Sequence, residues 1–175
     1  GRQRVPDRYG VRGEPVPRHR NPHAARVSVA ALTGDALARA CAEAMLSRDR
    51  ASQALGIVLE DARPGFARAS LTIVETMVNG HAIAHGGVTF TLADSAFAFA
   101  CNSRNEPNVA LQASISYVNA VRLGERLVAE AQEQSSKGRT GVYDVTVTRG
   151  DGELVALFRG VCYRIKGTVL EGTSN

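Results

Sequence analysis

The fold is decided by residues 79–103, which read NGHAIAHGGVTFTLADSAFAFACNS. From Ala82 to Ser103 the only formally charged side chain is that of Asp94. Beyond Gly86 the apolar side chains fall around most of the circumference of a helix. The pattern predicts a helix over about residues 86–103 that is buried on nearly every side. Such a helix needs a sheet wrapped around it to cover its surface.

The flanking segments supply that sheet. Before the central helix, the spacing predicts an amphipathic helix over 35–47, capped by Thr33 or Asp35, and two extended runs at 57–60 and 68–73. Four further strands follow it, and short turns between them predict antiparallel pairing. They cover residues 111–117, 127–131, 143–147 and 154–165. We expect an α+β fold in which a curved antiparallel sheet wraps a long central helix.

Length and composition favour one folded domain. The chain has 175 residues, of which 44% are apolar and 22% charged, as in average soluble proteins. No apolar stretch reaches membrane-spanning length and no signal sequence is evident, so we expect a cytoplasmic protein without a membrane partner. Cys41, Cys101 and Cys162 form no CxxC pair, which predicts reduced thiols, no metal site and no redox motif.

The net charge of +4 lies in the N-terminal segment. Residues 1–26 hold seven arginines against two acidic residues, and the rest of the chain carries −1. We expect a disordered Arg/Pro-rich tail over 1–28, a folded domain over 29–170 and a short tail over 171–175. The arginines allow two interpretations: binding to an anionic partner such as RNA or a membrane surface, or an extension without function, which we favour.

Two features of the central segment suggest chemistry. Gly86 and Gly87 at a helix start leave N–H groups uncovered, where the positive end of the helix favours an oxyanion such as a polarised carbonyl oxygen. Glycine pairs at this position also serve close packing alone. Asp94 lies inside the apolar helix, so burial should raise its pKa, as at many active sites. The alternative is a structural carboxylate satisfied by Thr91, Ser95 or an arginine across an interface.

Helix geometry constrains how these groups could work together. Asp94 lies eight residues beyond Gly86, about 12 Å along the helix axis, whereas a base or nucleophile must come within about 3 Å of the reacting atom. One helix cannot supply both groups to one carbonyl. If both act together, the carboxylate comes from a second copy of the chain, and the active protein is at least a two-fold symmetric dimer.

The chain resembles the hotdog-fold acyl-CoA thioesterases, and among them those of phenylacetate degradation. The resemblance rests on Asn79-Gly80-His81, Ala84-His85-Gly86-Gly87, Leu92–Ala98 and Ala100–Ser103, with support from Thr140–Asp144 and Ala156–Gly160. It implies hydrolysis of an aryl-acetyl-CoA thioester by a homotetramer built as a dimer of dimers, with acyl-CoA as the small-molecule partner and no separate cofactor.

The resemblance also implies roles for individual residues. The Gly86 N–H polarises the carbonyl, Asp94 of the partner chain is nucleophile or general base, and Asn79 places the water or the carbonyl. Substrate-binding positions are His85, Gly87, Gln112, Ser136, Lys137, Gly138, Arg139 and Arg164, the last five as candidates for the CoA phosphates. Asn119-Ala120 stands where relatives commonly have Arg-Pro or Ala-Pro, which leaves the exact acyl group open.

Two other functions remain as alternatives. The first is hydration or dehydration of an enoyl thioester on the same fold, with His85 as base and Asp94 as acid, although the chain lacks the usual hydratase signature. The second is a non-catalytic acyl-CoA sensor whose tail binds nucleic acid, although no helix-turn-helix pattern follows the tail. We therefore expect no nucleic-acid partner.

Overall fold

The computed structural model describes residues 31–170, so the predicted tails over 1–28 and 171–175 lie outside the described residues. The first half holds α1 (Gly34–Arg48), α2 (Arg50–Ala54), β1 (Val58–Arg63), β2 (Phe66–Thr72) and the central helix α3 (Gly86–Cys101). The second half holds β3 (Asn108–Tyr117), β4 (Arg126–Lys137), β5 (Thr140–Arg149) and β6 (Leu154–Arg164). No helix within the described range is long and apolar enough to cross a membrane.

The six strands form one antiparallel sheet in the order β1-β2-β4-β5-β6-β3. Helix α3 contacts all six of them. A flat sheet of six strands would be about 24 Å wide, whereas a helix is only about 10 Å across. The sheet must therefore curve around α3, which confirms the predicted architecture.

The position of β3 differs from the expectation that consecutive strands pair. β4, β5 and β6 are joined by hairpins as predicted, but β3 pairs with β6 at the sheet edge and β4 pairs with β2. The linker after β3 bonds elsewhere: Ala84 N–H donates to Val121 O at 2.8 Å, and Gly124 N–H donates to Ile73 O at 2.8 Å. These hydrogen bonds place the linker beside the end of β2, so that β4 begins next to β2.

Close packing at one glycine holds α3 against the sheet. A Cβ at Gly160 of β6 would lie 2.9 Å from the ring of Phe97, so only glycine permits this approach. The Phe97 ring also packs edge-on against Tyr143, with centroids 5.6 Å apart. Both side chains are essentially fully buried. The centre of the core therefore lies between the middle of α3 and strands β5 and β6.

The predicted burial of α3 is confirmed for most of its circumference. Near its start, Gly86, Val88 and Phe90 are partly exposed. Farther along, a line on one side stays open, which we call the open stripe and which is made of Gly87, Thr91, Asp94 and Ala98. These residues are spaced by three or four positions and so share one helix face, where each stays exposed or partly exposed. Residues 31–170 thus leave this face incompletely covered.

The N-terminal helices pack beside α3. Helix α1 matches its prediction, and Thr33 is its N-cap residue, although its side chain makes no capping hydrogen bond. The short helix α2 was not predicted. Its cap is Asp49, which accepts hydrogen bonds from the backbone N–H of Ser52 at 3.0 Å and from the Ser52 hydroxyl at 2.5 Å. This cap brings a second carboxylate near α3.

Candidate active site

A tight loop leads into α3 and sets the position of Asn79. Its backbone N–H donates to Ile83 O at 2.8 Å, and its side-chain oxygen accepts from the His81 N–H at 2.9 Å. A bridge between Val78 and Ala84 closes the loop. Within residues 31–170 the Asn79 side-chain nitrogen makes no hydrogen bond. The loop therefore holds the Asn79 amide in place by its oxygen and leaves its N–H groups available.

His85 caps α3 and decides which glycine N–H remains available. Its Nδ1 accepts a hydrogen bond from the Gly87 N–H at 2.9 Å, and its carbonyl accepts from Val88 N–H at 2.9 Å. The Gly86 N–H makes no hydrogen bond among the described residues. Gly86 thus offers an N–H at the positive end of the helix, whereas the Gly87 N–H is already bonded.

Tyr117, the last residue of β3, fixes the same turn from the other side. Its hydroxyl donates to Gly86 O at 2.9 Å, and a Cβ at Gly86 would lie only 3.1 Å from the tyrosine ring. The glycine is therefore needed for the close approach of Tyr117 as well as for access to its N–H. Sequence reasoning missed this role of Tyr117, because the contact spans 31 residues and the strand pattern shows Tyr117 only as one of the alternating apolar positions.

These groups border a cavity of about 320 Å³, which we call the loop cavity. Asn79 and Gly86 lie on one side of it, and the other walls are largely apolar. The lining includes Tyr117, Val118, Asn119, Ala120, Val121 and Val155. Its volume and its few polar groups among apolar walls are typical of a small-molecule site. The structure thus brings together two predicted catalytic residues and the Asn119-Ala120 departure.

Asp94 does not line the loop cavity. Burial, and secondly the negative charge of Asp49, raise the pKa of the Asp94 carboxyl above its usual range. The predicted local partners bond elsewhere: Thr91 Oγ1 donates to Gly87 O at 2.8 Å, and Ser95 Oγ lies 2.9 Å from Ser52 Oγ. Within residues 31–170 no side chain hydrogen-bonds to the Asp94 carboxylate. The alternative that Thr91 or Ser95 satisfies this carboxylate is therefore wrong.

The predicted phosphate-binding residues gather at the other end of the molecule. Ser136, Gly138, Arg139 and Arg164 line a second cavity, of about 200 Å³, beside the last residue of α3. We call it the hairpin cavity because it opens at the β4–β5 turn. The 16 residues of α3 separate it from the loop cavity by about 24 Å. One chain therefore does not place these residues next to Gly86.

The remaining predicted binding residues line neither cavity. Lys137 is exposed as the last residue of β4, and Gln112 is exposed on the edge strand β3. In the hairpin cavity, Arg164 donates to Glu106 Oε1 at 2.5 Å and to Gly138 O at 3.1 Å. The guanidinium of Arg139 lies 5.4 Å from the centroid of the Tyr163 ring.

The described residues form a curved antiparallel sheet around one helix, with an available N–H at the helix start and, farther along it, a carboxylate without a hydrogen-bond partner among residues 31–170; this arrangement is characteristic of the hotdog-fold thioesterases. The Thioesterase superfamily family model matches residues 81–156. The acyl-coenzyme A thioesterase PaaI of Escherichia coli strain K12 is 41% identical over 128 residues, which cover 73% of this chain and 91% of that protein. The chain therefore belongs to the thioesterase superfamily, as an acyl-CoA thioesterase of the hotdog fold.

Solved structures agree with this assignment. The structure of E. coli PaaI, from the phenylacetic acid degradation operon, superposes with a TM-score of 0.75 and 40% identity, covering 77% of this chain and 97% of that one. The smu.793 protein of Streptococcus mutans UA159, bound to acetyl CoA, gives a TM-score of 0.61 and 28% identity, covering 64% and 90%. The predicted fold and enzyme class are confirmed.

Proposed function

We propose that this thioesterase hydrolyses aryl-acetyl-CoA thioesters, such as phenylacetyl-CoA or hydroxyphenylacetyl-CoA, to the free acid and CoA. The observation that carries the proposal is the loop cavity, where the Gly86 N–H and the Asn79 amide border an apolar space of about 320 Å³. Tyr117, Val118 and Val155 supply walls suited to an aromatic ring. The phenylacetic acid operon of the E. coli relative supports the same acyl class.

The Gly86 N–H polarises the thioester carbonyl in this proposal. As negative charge develops on the carbonyl oxygen, the N–H donates to it and the positive end of α3 adds to the stabilisation. Tyr117 and His85 hold the glycine turn in place through the Gly86 carbonyl and the Gly87 N–H. The donor therefore needs little reorganisation when the reaction begins. The Asn79 amide positions the attacking water or the carbonyl.

Asp94 of a second protomer supplies the nucleophile or general base. A raised pKa makes the Asp94 carboxylate a stronger base toward water. The roughly 12 Å between Gly86 and Asp94 along one helix favours a site shared between two chains. Each two-fold pair of protomers then contains two equivalent sites.

The surface of the chain supports this association. Asp94 lies on the open stripe, which the described part of the chain leaves partly uncovered. The neighbouring edge strand β3 exposes large apolar side chains: Val109 at 46%, Leu111 at 60% and Tyr117 at 54%. An unpaired edge with such residues favours pairing with another strand. We propose a homodimer through β3 and the open stripe, and a dimer of such dimers as the full assembly.

For the CoA moiety, we propose that its phosphates bind at the β4–β5 turn through Ser136, Lys137, Gly138 and Arg139, with Arg164 nearby. Because these residues lie about 24 Å from Gly86 along α3, they would serve a site on another protomer of the assembly rather than their own. The acetyl CoA bound to the S. mutans relative is consistent with a CoA ligand for the fold. We expect the enzyme in the cytoplasm.

The hydratase alternative is less well supported. The mechanism would need His85 as a base, but its Nδ1 accepts the Gly87 N–H at 2.9 Å, and in the neutral ring the other nitrogen then carries the proton. The sensor alternative depends on residues outside the described range. Deleting residues 1–28 should leave hydrolysis unchanged; loss of activity would instead show that the tail has a function.

Substrate class is tested by incubating the purified protein with phenylacetyl-CoA, hydroxyphenylacetyl-CoA and acetyl-CoA and measuring CoA release with a thiol reagent. We expect the highest kcat/KM for the two aryl-acetyl thioesters. Equal or higher kcat/KM for acetyl-CoA would refute the aryl-acetyl assignment. Absorbance changes of an enoyl thioester without CoA release would favour the hydratase.

The two-chain site is tested by complementation between Gly86→Ala and Asp94→Asn chains. Gly86→Ala keeps the backbone N–H, but its Cβ would lie 3.1 Å from the Tyr117 ring and displace the turn that positions this N–H, and Asp94→Asn removes the carboxylate. Each variant alone should therefore be nearly inactive, but random co-assembly in equal amounts leaves about a quarter of the sites with an undisturbed turn and an intact carboxylate, so activity returns. Gly80→Ala is the matched control, since a Cβ at Gly80 has no atom within 4 Å, and it should stay active. Absence of recovery in co-assembled chains would refute a shared site.

A further inference from the structure

The hairpin cavity contains two thiols that the proposed reaction does not use. Cys101, the last residue of α3, and Cys162, in β6, both line it. They are almost fully buried, whereas Ser136, Gly138 and Arg139 at the same cavity are exposed. The thiols therefore form the floor of a cavity of about 200 Å³ that opens to solvent at the β4–β5 turn. Sequence spacing gave no sign of this pair.

The two thiols lie close enough to affect each other's ionisation, although the Cys101 thiol itself donates to Ala98 O at 3.5 Å. The neighbouring Cys101 lowers the pKa of Cys162, whereas the neighbouring Cys162, together with burial, raises that of Cys101. Gly141 lies opposite Cys162 on β5, and a Cβ there would come within 3.0 Å of the Cys162 sulfur. Asn102 Nδ2 contacts the Cys101 sulfur at 3.3 Å. Cys162 is thus the better nucleophile and Cys101 the adjacent resolving thiol.

Access to the pair is limited to small reactants. Because a water molecule takes about 30 Å³ in the liquid, the cavity can admit a molecule as small as hydrogen peroxide. Cys41 provides an internal comparison. It is fully buried, its thiol donates to Asn105 Oδ1 at 3.9 Å, and it does not line the hairpin cavity.

We propose that Cys101 and Cys162 form a peroxide-sensitive dithiol site that closes to an intramolecular disulfide. The Cys162 thiolate attacks one peroxide oxygen, the O–O bond breaks, and the other oxygen leaves as hydroxide, which becomes water on taking a proton. The Cys101 sulfur then attacks the resulting sulfenic acid, the S–S bond forms, and a second water leaves. Two thiols are oxidised by two electrons, and one peroxide is reduced to two waters.

The test treats the folded, full-length protein with hydrogen peroxide, blocks the remaining thiols after denaturation, and counts them. The chain has three cysteines, so we expect one remaining thiol and an intact mass lower by two hydrogen atoms. Non-reducing peptide mapping should link the Cys101 and Cys162 peptides, and dithiothreitol should restore three thiols. Three thiols after treatment, or a disulfide that includes Cys41, would overturn the proposal.

Matched variants separate this site from general oxidation. Cys41→Ser should still lose two thiols to peroxide. Cys162→Ser should keep both remaining thiols reduced, because the nucleophile is gone, whereas Cys101→Ser should leave a sulfenic acid on Cys162 that dimedone traps. If either Cys162→Ser or Cys101→Ser does not fold, the other variant still tests the roles assigned to the two thiols. Oxidation of Cys101 in Cys162→Ser at the wild-type rate, or no dimedone adduct in Cys101→Ser, would contradict the assignment of roles.

Discussion

Replacing Asp94 with asparagine keeps the shape of the side chain but removes the group that accepts a proton or attacks the thioester. We expect kcat to fall at least about 100-fold, which corresponds to about 2.7 kcal/mol of activation free energy. The fold should survive, because no side chain among the described residues hydrogen-bonds to this carboxylate. Assembly should survive as well, since asparagine fits the same partly exposed position on the open stripe.

The same substitution should raise stability at neutral pH. Burial and the charge of Asp49 raise the pKa of Asp94 in the folded state, so the ionised carboxylate favours the unfolded chain. As pH rises from about 4, the unfolded aspartate ionises first, and wild type loses stability relative to the variant until the folded carboxyl has also ionised. Below about pH 4 both states are protonated, and the advantage of the variant disappears.

The assays are steady-state CoA release, size-exclusion chromatography, and urea unfolding at matched protein concentration, at pH 7 and near pH 4. We expect lower kcat, an unchanged elution volume, and a higher free energy of unfolding for Asp94→Asn at pH 7 only. An active variant would show that Asp94 is not catalytic, and a variant that loses activity together with assembly or stability would show that Asp94 has a structural role; either result would refute the reasoning.

Three further substitutions test separate parts of the structure. Tyr117→Phe keeps the ring and removes a hydrogen bond of about 1 kcal/mol, so kcat should fall about fivefold with KM little changed. An unaltered kcat would contradict the positioning role of the Tyr117 hydroxyl. Asp49→Asn removes the like charge near Asp94, so the acidic limb of the pH–rate profile should move to lower pH, and a shift to higher pH would argue against that coupling. Gly160→Ala puts a Cβ 2.9 Å from the Phe97 ring and should lower the free energy of unfolding in urea by about 1–3 kcal/mol, whereas wild-type stability would mean that α3 can shift.

Much of the fold could be predicted because its signals are local. The apolar run through α3 and the short turns between β4, β5 and β6 are readable within a few residues. The edge position of β3 could not be predicted in this way, because it depends on the linker bonding to Ala84 and Ile73. Those partners are far away in sequence and carry no distinguishing side chain.

The residues of the candidate site differ in the same way: some are signalled by local sequence, and others depend on contacts between distant segments. Gly86 and Asp94 were predictable, because a glycine pair at a helix start and a charge in an apolar helix are both anomalies of local sequence. The contact of Tyr117 with the Gly86 carbonyl and the cavity shared by Cys101 and Cys162 were not, since each joins segments whose proximity only the folded sheet establishes. The hydrogen bond that occupies the Gly87 N–H likewise depends on the ring orientation of His85.

The hydroxyl of Tyr117 lies at the end of the same strand that borders the unpaired edge of the sheet. Any protein segment that pairs with this edge also restricts the motion of Tyr117, which holds the Gly86 turn at the start of α3. The association of protomers would then affect the geometry of the catalytic turn. Dilution to separated protomers should make the Gly86 turn more mobile before the domain unfolds.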